Sequence, residues 1–227
     1  MAKKPKGKTT RVHTVYKDES GKRVPSVTTI LKQWGEGSDA IHAWGINLVK
    51  QGYEPQDVLR QAGKIGTLFH YLCEQFFLGR EADPEYLKEF SGVEIEQALM
   101  AYNGMRKWYT QFEGKLNINT TELIMVSEKH KYGGTLDLCG TTDKGEFWVL
   151  DFKSSKGIYK SHWVQVSAYA KLVEEKYGQG VNSIHILRCD KDSTSFDYAF
   201  RDKELIDKAF GLFLHLRGVY EEAKGIK

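Results

Sequence analysis

The spacing of hydrophobic residues predicts a mainly helical region between residues 36 and 112. In its most regular stretch the apolar positions follow the i, i+3, i+4, i+7 period of an amphipathic helix, and Gly79 is placed to end that helix. A serine before one apolar run and a proline at the start of another mark two further helix starts. The predicted helices are 38–50, 55–61, 64–78 and 93–112.

The hydrophobic period changes to that of β-strands between about residues 120 and 200. Runs of β-branched and aromatic residues alternate there with glycine-containing turns. The predicted strands are 122–128, 135–140, 147–153, 182–189 and 195–200, with helices at 158–177 and 203–223. Strands beside helices in this order predict an α/β fold with a mixed sheet. We expect a flexible basic tail at 1–11 and a single domain over 12–227.

Composition and charge narrow the class of protein. The chain has 227 residues, of which 41% are hydrophobic and 28% charged, as is usual for a globular domain. Its net charge of +3 permits nucleic-acid binding without requiring it. The sequence has no apolar run long enough to cross a membrane, and its basic N-terminus lacks the apolar segment of a secretory signal. We therefore expect a cytoplasmic protein that makes no membrane contact.

The cysteines of this sequence do not indicate a disulfide or a metal site. Three of them are widely scattered, at positions 73, 139 and 189. An odd number at such spacing predicts neither a disulfide framework nor a zinc or iron–sulfur site. Buried apolar thiols in a reducing compartment are the expected state.

Two aspartates and a lysine stand on neighbouring predicted strands. Side chains alternate between the faces of a strand, so Asp151 and Lys153 are predicted to project to the same side. On the preceding strand, Asp137 is predicted to lie on the face opposite Leu136 and Leu138. A hairpin between the two strands would bring the aspartates side by side.

Such a pair of carboxylates suits a divalent metal ion. Two carboxylates a few ångström apart repel each other unless a cation lies between them. Oxygen ligands in small number favour Mg²⁺, which also accepts phosphate oxygens and polarises them. Lys153 would orient an attacking water or neutralise charge on the phosphate. The alternative is an Asp–Lys ion pair on an exposed strand, and we favour the metal-dependent phosphodiester chemistry.

Four short motifs follow one another along the chain. They are Gly66-Thr-Leu-Phe-His70, Gly134-Thr-Leu-Asp137, Asp151-Phe-Lys153 and Gln165-Val-Ser-Ala-Tyr169. In this order they resemble the PD-(D/E)XK nuclease superfamily, in its RecB-type exonuclease branch. The segment 25–31 is similar to one in phage exonucleases and in the mitochondrial genome maintenance exonuclease. The resemblance covers about residues 25–170. It implies a restriction-endonuclease-like core, with a mixed central sheet flanked by helices and an N-terminal helical extension.

The resemblance implies a role for each matching residue. Asp137 and Asp151 would be metal ligands together with the main-chain carbonyl of Phe152. Lys153 would be the catalytic lysine. His70 would be a further metal ligand, and an imidazole ligand favours competence with Mn²⁺ as well as Mg²⁺. Without the resemblance, His70 would be interpreted as an ordinary histidine on a helix.

Further contacts are expected outside the metal site. Gln165 and Tyr169 lie four residues apart and so on one helical face, where the resemblance places them beside the catalytic lysine or the DNA backbone. Their alternative is a half-exposed polar stripe. Ser26 and Thr28 have an alternative role at the start of a helix near Val27. The residues expected to contact DNA are Ser26, Thr28, Lys156 and Tyr159.

These features predict a metal-dependent DNA exonuclease that acts on DNA ends or single strands, in replication, recombination or repair. The expected cofactor is Mg²⁺ or Mn²⁺. The expected partners are DNA with a single strand or a free end and a recombination or replication protein, in a phage-like setting. Some RecB-type relatives carry a four-cysteine iron–sulfur cluster, which three cysteines cannot supply. Two alternatives stay open: a structure-specific endonuclease of the same superfamily and a non-catalytic DNA-binding accessory protein.

Overall fold

A computed structural model of the chain describes residues 14–112 and 116–226, so the predicted basic tail at 1–11 lies outside the described residues. The helices are α1 (Val27–Leu31), α2 (Ser38–Lys50), α3 (Pro55–Phe77), α4 (Pro84–Leu87), α5 (Gly92–Phe112), α6 (Lys160–Tyr177) and α7 (Lys203–Gly225). The strands are β1 (Leu116–Ser127), β2 (Tyr132–Thr142), β3 (Phe147–Lys153), β4 (Ser183–Cys189) and β5 (Phe196–Asp202). Within the described ranges, no helix has both the length and the apolar character that a membrane span requires.

The five strands form one mixed sheet in the order β1-β2-β3-β4-β5. Neighbouring strands run antiparallel except for β3 and β4, which run parallel. A parallel pair needs a long crossover connection, and α6 provides it between β3 and β4. The strand that ends in the predicted Asp-Phe-Lys motif therefore leads directly into the helix that carries Gln165 and Tyr169.

Helices pack on both faces of the sheet. On one face, called here the α6 face, α1, α6 and α7 bury a cluster that includes Val149 and Ile184. On the opposite face, called the α3 face, α3 and α5 bury a cluster that includes Trp148 and Leu150. Val149 faces one layer and its neighbours Trp148 and Leu150 face the other, because side chains alternate between the two faces of a strand. The predicted α/β fold, with a mixed sheet flanked by helices, is confirmed.

The helix that covers the α3 face is longer than the sequence predicts. The two predicted helices 55–61 and 64–78 form a single helix, α3, with Gly63 inside it. An internal glycine costs about 1 kcal/mol relative to alanine, and the buried side chains that follow it outweigh this cost. Glu54 caps the start, where its carboxylate accepts a hydrogen bond from the main chain of Gln56. Gly79, with a φ of 61°, follows the end as predicted.

Strand β2 does not alternate as the sequence predicts. Leu136 is buried in the cluster of the α6 face and Leu138 in that of the α3 face, whereas regular alternation would place both on one face. The change occurs around Asp137, beside an irregular part of β1. There Glu122 has a φ of 52°, which non-glycine residues rarely adopt. Farther along β1, opposite Gly140 and Cys139, the pairing register shifts between Ile118 and Thr120. Irregular backbone of this kind breaks the two-residue period.

A carboxylate from the N-terminal region holds the start of α6. Glu36 lies between α1 and α2, and its two carboxylate oxygens accept hydrogen bonds from the main-chain N–H groups of Lys160 (3.2 Å) and Ser161 (2.6 Å). The first N–H groups of a helix have no acceptor within the helix, and a negative charge there also complements the helix dipole. Glu36 therefore connects the N-terminal helices to the helix that follows β3.

We expect Glu36→Ala to lower the free energy of unfolding by about 1 kcal/mol, because two N–H groups of α6 lose their acceptor. Glu36→Gln should lose less, since it keeps one acceptor oxygen and loses the charge. The matched control is Glu146→Ala, which removes an exposed carboxylate from the turn between β2 and β3 and should change stability by less than about 0.5 kcal/mol. Urea denaturation measures all three. Equal stability of Glu36→Ala and Glu146→Ala would contradict the capping role.

Candidate active site

Two buried aspartates lie where the pairing of β2 and β3 ends. The last paired residues of this antiparallel ladder are Leu138 and Leu150, and the same register extended by one residue sets Asp137 opposite Asp151. Both aspartates are only 2% exposed. The main-chain N–H of Phe152 donates a hydrogen bond of 2.7 Å to Oδ2 of Asp137. The hairpin therefore brings the two predicted acids together, and the Phe152 main chain contacts one of them.

Polar side chains of α6 extend the site from Asp151. The Lys153 ammonium lies 2.6 Å from Oδ2 of Asp151 and donates a 3.0 Å hydrogen bond to Oε1 of Gln165. The Gln165 amide in turn donates a 2.9 Å hydrogen bond to the Tyr169 hydroxyl. The structure thus brings four predicted site residues into one connected chain. Gln165 and Tyr169 hold the lysine on the α6 side of Asp151.

The phenol of Tyr169 stays protonated in this setting. Burial raises its pKa well above the usual value, and the charges of Asp151 and Asp137 raise it further. A phenol in this state keeps its O–H as a hydrogen-bond donor. Its ring also packs tightly, because a Cβ placed on Gly134 of β2 would lie 2.5 Å from Cε1 of Tyr169. Gly134 therefore leaves room for the tyrosine that supports Gln165.

A different set of residues meets on the other side of Asp137. Nδ1 of His70, on α3, lies 3.1 Å from Oδ2 of Asp137. Glu122, on β1, joins them, and one ligand atom from each of the three residues lies within 4.8 Å of the other two. Thr121 and Leu123 pair with Leu138 and Leu136 of β2, so Glu122 stands opposite Asp137. Asp151 does not belong to this set.

Glu122 is a site residue that the sequence pattern does not predict. The pattern predicts a strand that begins at residue 122, which would leave Glu122 at a strand end, whereas β1 begins at Leu116 and Glu122 lies well inside it. The available signal is that Glu122 is the one charged residue of β1. Glu122 can be assigned to the site only from the register that sets it opposite Asp137, and the sequence does not reveal that register.

The donor set fits a divalent cation. Ligand atoms at about 2.0–2.2 Å from a shared ion lie up to about 4.4 Å from one another, so groups within 4.8 Å need only a small movement to enclose one. Two carboxylates and an imidazole, with Asp151 adjacent, supply oxygen and nitrogen ligands of the kind that Mg²⁺ and Mn²⁺ accept. Ligation by the Phe152 carbonyl stays a prediction.

The connection between β3 and α6 holds two of the residues predicted to contact DNA. Lys156 and Tyr159 are both exposed there. The main-chain N–H of Tyr159 donates to Nδ1 of His162 at 3.3 Å, so the ring proton of His162 is on Nε2. Burial, aided by the positive charge of Lys153, lowers the pKa of His162 to about 3, and its imidazole is neutral at physiological pH. His162 is therefore a neutral N–H donor beside the site.

The other two predicted DNA contacts lie at the start of α1. The Ser26 hydroxyl accepts a 3.0 Å hydrogen bond from the main-chain N–H of Thr29 and lies 3.0 Å from the hydroxyl of Thr28. Ser26 is thus an N-cap, which is the alternative role that the sequence leaves open. It also lines a cavity of about 390 Å³ together with Arg23 and Lys224. DNA contact by Ser26 and Thr28 stays a prediction.

Comparison with known proteins finds weak structural likeness only. No protein-family model matches the chain, and a search of curated proteins finds no match. Among solved structures, a Eubacterium rectale protein with a provisional description as an exonuclease is 12% identical, with a TM-score of 0.43 over 68% of this chain and 68% of that one. An alkaline exonuclease from Laribacter hongkongensis is 14% identical, with a TM-score of 0.33 over 69% and 85% of the two chains.

A third solved structure is EndoMS in complex with double-stranded DNA. It is 18% identical to this chain, with a TM-score of 0.28 over 57% of this chain and 46% of that one. Likenesses at such low identity and TM-score establish neither the family of this chain nor its activity. The site residues themselves must carry the functional conclusion.

We expect Gly134→Ala to destabilise the protein by about 1–3 kcal/mol, because the new methyl group overlaps the buried ring of Tyr169. In a Tyr169→Leu background the same substitution should cost at least about 1 kcal/mol less, because the overlapping ring atoms are gone. Urea denaturation of the four proteins of this double-mutant cycle measures the difference. Gly180→Ala is the control, since a Cβ at Gly180 meets nothing within 4 Å. Additive effects of the two substitutions would show that Gly134 does not act through Tyr169.

Proposed function

We propose that this protein is a metal-dependent deoxyribonuclease of the PD-(D/E)XK type. The observation that supports it best is the convergence of two buried aspartates from adjacent strands with a lysine that contacts one of them and an imidazole that contacts the other. These residues are the ones that match the family motifs. Buried carboxylates side by side would be costly in a purely structural role, because nothing in packing requires them.

The lysine is the group that this proposal places against the scissile phosphate. Asp151 and Gln165 hold the Lys153 ammonium in one position, so its charge and N–H groups are oriented before the substrate binds. From that position it would donate a hydrogen bond to the attacking water or to a phosphate oxygen. A divalent cation bound by the carboxylates would supply Lewis-acid polarisation of the phosphate and a more acidic water.

Exposed residues that follow Lys153, and a separate cavity at the start of α1, support binding of a nucleic-acid backbone. Lys156 and Tyr159 project from the connection that follows Lys153. Ser26, Arg23 and Lys224 line one cavity, and hydroxyl and cationic groups together are typical phosphate ligands. We therefore propose DNA as the substrate and assign Ser26, Thr28, Lys156 and Tyr159 to backbone contacts.

The finer proposal is an exonuclease. Its support is the helical N-terminal region, which Glu36 ties to the start of α6 beside Tyr159. A helical segment held beside Tyr159, one of the residues proposed to contact DNA, would admit a strand end more readily than an internal stretch of duplex. On this proposal Mg²⁺ or Mn²⁺ is the cofactor and a single strand or free end is the substrate.

The decisive experiment compares an end-labelled linear single strand with a covalently closed single-stranded circle. Each is incubated with Mg²⁺, Mn²⁺ or EDTA. We expect cleavage of the linear strand only, and none in EDTA. Asp151→Asn and Lys153→Met should lower the rate by at least about 10²-fold, because each removes a charge placed for the transition state. Charge-matched controls are Glu146→Gln and Lys144→Met in the exposed turn between β2 and β3, which should keep the wild-type rate.

The other outcomes separate the alternatives. Cleavage of the circle at the same rate would identify an endonuclease. Cleavage that survives Asp151→Asn and Lys153→Met would show that the active site lies elsewhere. No metal-dependent cleavage of either substrate, in a protein that binds both, would contradict the nuclease proposal and favour a DNA-binding accessory protein.

A further inference from the structure

Strand β5 is an edge of the sheet. It pairs with β4, and among the described residues no other strand pairs with it. Edge strands of natural proteins usually carry lysine, proline or a bulge, which prevent pairing with another chain. β5 contains no lysine or proline, its pairing with β4 runs without a register shift, and its Phe200 is 60% exposed. The far edge of β5 is therefore suited to pairing with a further strand.

The main-chain hydrogen bonds indicate which residues of β5 face that edge. Just before the strand, the N–H of Asp190 donates a 3.0 Å hydrogen bond to the carbonyl of Ser195. Hydrogen-bonded and non-hydrogen-bonded pairs alternate along an antiparallel ladder, so the even-numbered residues of β5 direct their N–H and C=O groups away from β4. The carbonyl of Phe200 agrees with this direction, because the exposed side chain of Arg201 reaches it at 2.7 Å.

The sequence of β5 is complementary to itself in the antiparallel direction. With Ala199 at the centre, Asp197 matches Arg201 and Tyr198 matches Phe200. In this register the two aromatic residues form a hydrogen-bonded pair, as their main-chain direction requires. Ala199 then meets Ala199 in a non-hydrogen-bonded pair, where side chains lie close together and a small one fits. A register shifted by two residues would set Ala199, instead of the opposite charge, across from Asp197 or Arg201.

The two charged residues are accessible to a second copy. The side chain of Asp197 is 63% exposed, although its carboxylate also contacts Arg188 at 3.1 Å. Arg201 is exposed as well, and its guanidinium lies 4.7 Å from the ring centroid of Trp163. Opposite charges directly across a ladder are stabilising, and a two-fold axis makes the same pair twice.

We propose that β5 pairs with β5 of a second copy of this chain, antiparallel and centred on Ala199, to form a two-fold symmetric dimer. The five strands of each copy then join in one continuous sheet. Two Asp197–Arg201 pairs fix the register, and Tyr198 of each copy covers the exposed ring of Phe200 in the other. The dimer is independent of the proposed nuclease function.

The same registers give the position of the candidate active sites in this dimer. Asp151 is the partner of Ile186 across β3 and β4, and Ile186 is the partner of Ala199 across β4 and β5. Asp151 of each copy therefore lies on one line through the axis and on the same face of the sheet. Five strand spacings of about 4.8 Å set the two aspartates about 24 Å apart along the sheet.

The first test is sedimentation velocity over protein concentrations from about 5 to about 500 µM, the range in which small interfaces associate. We expect the wild-type chain to show a monomer–dimer equilibrium. Asp197→Lys and Arg201→Glu should each weaken dimerisation by at least about tenfold, because both attractive pairs become repulsive. The matched controls are Glu146→Lys and Lys144→Glu in the exposed β2–β3 turn, which make the same changes in charge and should dimerise as the wild type.

A mixture of the two β5 variants tests the register. In a mixed dimer of Asp197→Lys with Arg201→Glu, both cross-strand pairs again join opposite charges, so the mixture should recover the dimer that each variant loses alone. Thermal unfolding checks that each variant is folded. Should Asp197→Lys fail to fold beside Arg188, Arg201→Glu and the cross-link below decide the question.

The second test is a disulfide across the axis. Ala199→Cys places two thiols opposite each other at a Cα separation that a disulfide can span. Oxidised glutathione should convert this variant to a covalent dimer on a non-reducing gel. Lys144→Cys, an exposed cysteine away from β5, is the control and should stay monomeric, and the three native cysteines are buried.

Any of four results would overturn the proposal. They are a wild-type chain that stays monomeric at every concentration, wild-type dimerisation in Arg201→Glu, a mixture of folded variants that does not recover the dimer, and an Ala199→Cys protein that cross-links no more than Lys144→Cys. Loss of nuclease activity in any of these proteins bears on the proposed function and leaves the dimer unaffected.

Discussion

The antiparallel register between β2 and β3 is the constraint on which the site depends. A shift of one residue in that register would turn Asp137 to the other face and separate it from Asp151. The register is fixed by apolar pairs, such as Leu138 with Leu150 and Cys139 with Val149, which are buried in both layers. Hydrophobic packing on the two faces of the sheet therefore determines the position of charged groups that contribute nothing to packing.

Each of the two helical layers contributes different residues to the site. From the α6 face come Gln165 and Tyr169, which hold Lys153, and from the α3 face comes His70, which contacts Asp137. The site lies where the two layers meet at the end of the β2–β3 ladder. Rearrangement of either layer would move one part of the site relative to the other. The tightly packed apolar side chains of both layers therefore keep the few polar residues of the site in a fixed geometry.

The sequence was sufficient for the parts of this structure that follow from local patterns. Strand β3 has the predicted bounds, because its residues are almost all buried and its sequence is correspondingly apolar. The predicted order of helices and strands gave the correct fold class. The predicted hairpin brought Asp137 beside Asp151. The predicted alternation of Leu136 and Leu138 is wrong, because the two-residue period is interrupted beside irregular backbone at Glu122 that no residue pattern specifies. The predicted start of β1 at residue 122 is also wrong, since the strand begins at Leu116. Glu122 was not predicted as a site residue, because only its register with Asp137 places it there.

At Glu122 the fold imposes a backbone conformation and a neighbouring charge that are locally unfavourable. A non-glycine residue at a φ of 52° and carboxylates that face one another across strands both cost free energy in the folded chain. Such costs persist only where the surrounding structure imposes them, and they concentrate at functional sites. These costs fall on β1, directly opposite Asp137. Departure from the pattern and candidate chemistry therefore coincide at one point of the sheet, where Glu122, Asp137 and the imidazole of His70 supply the donor set for a divalent cation.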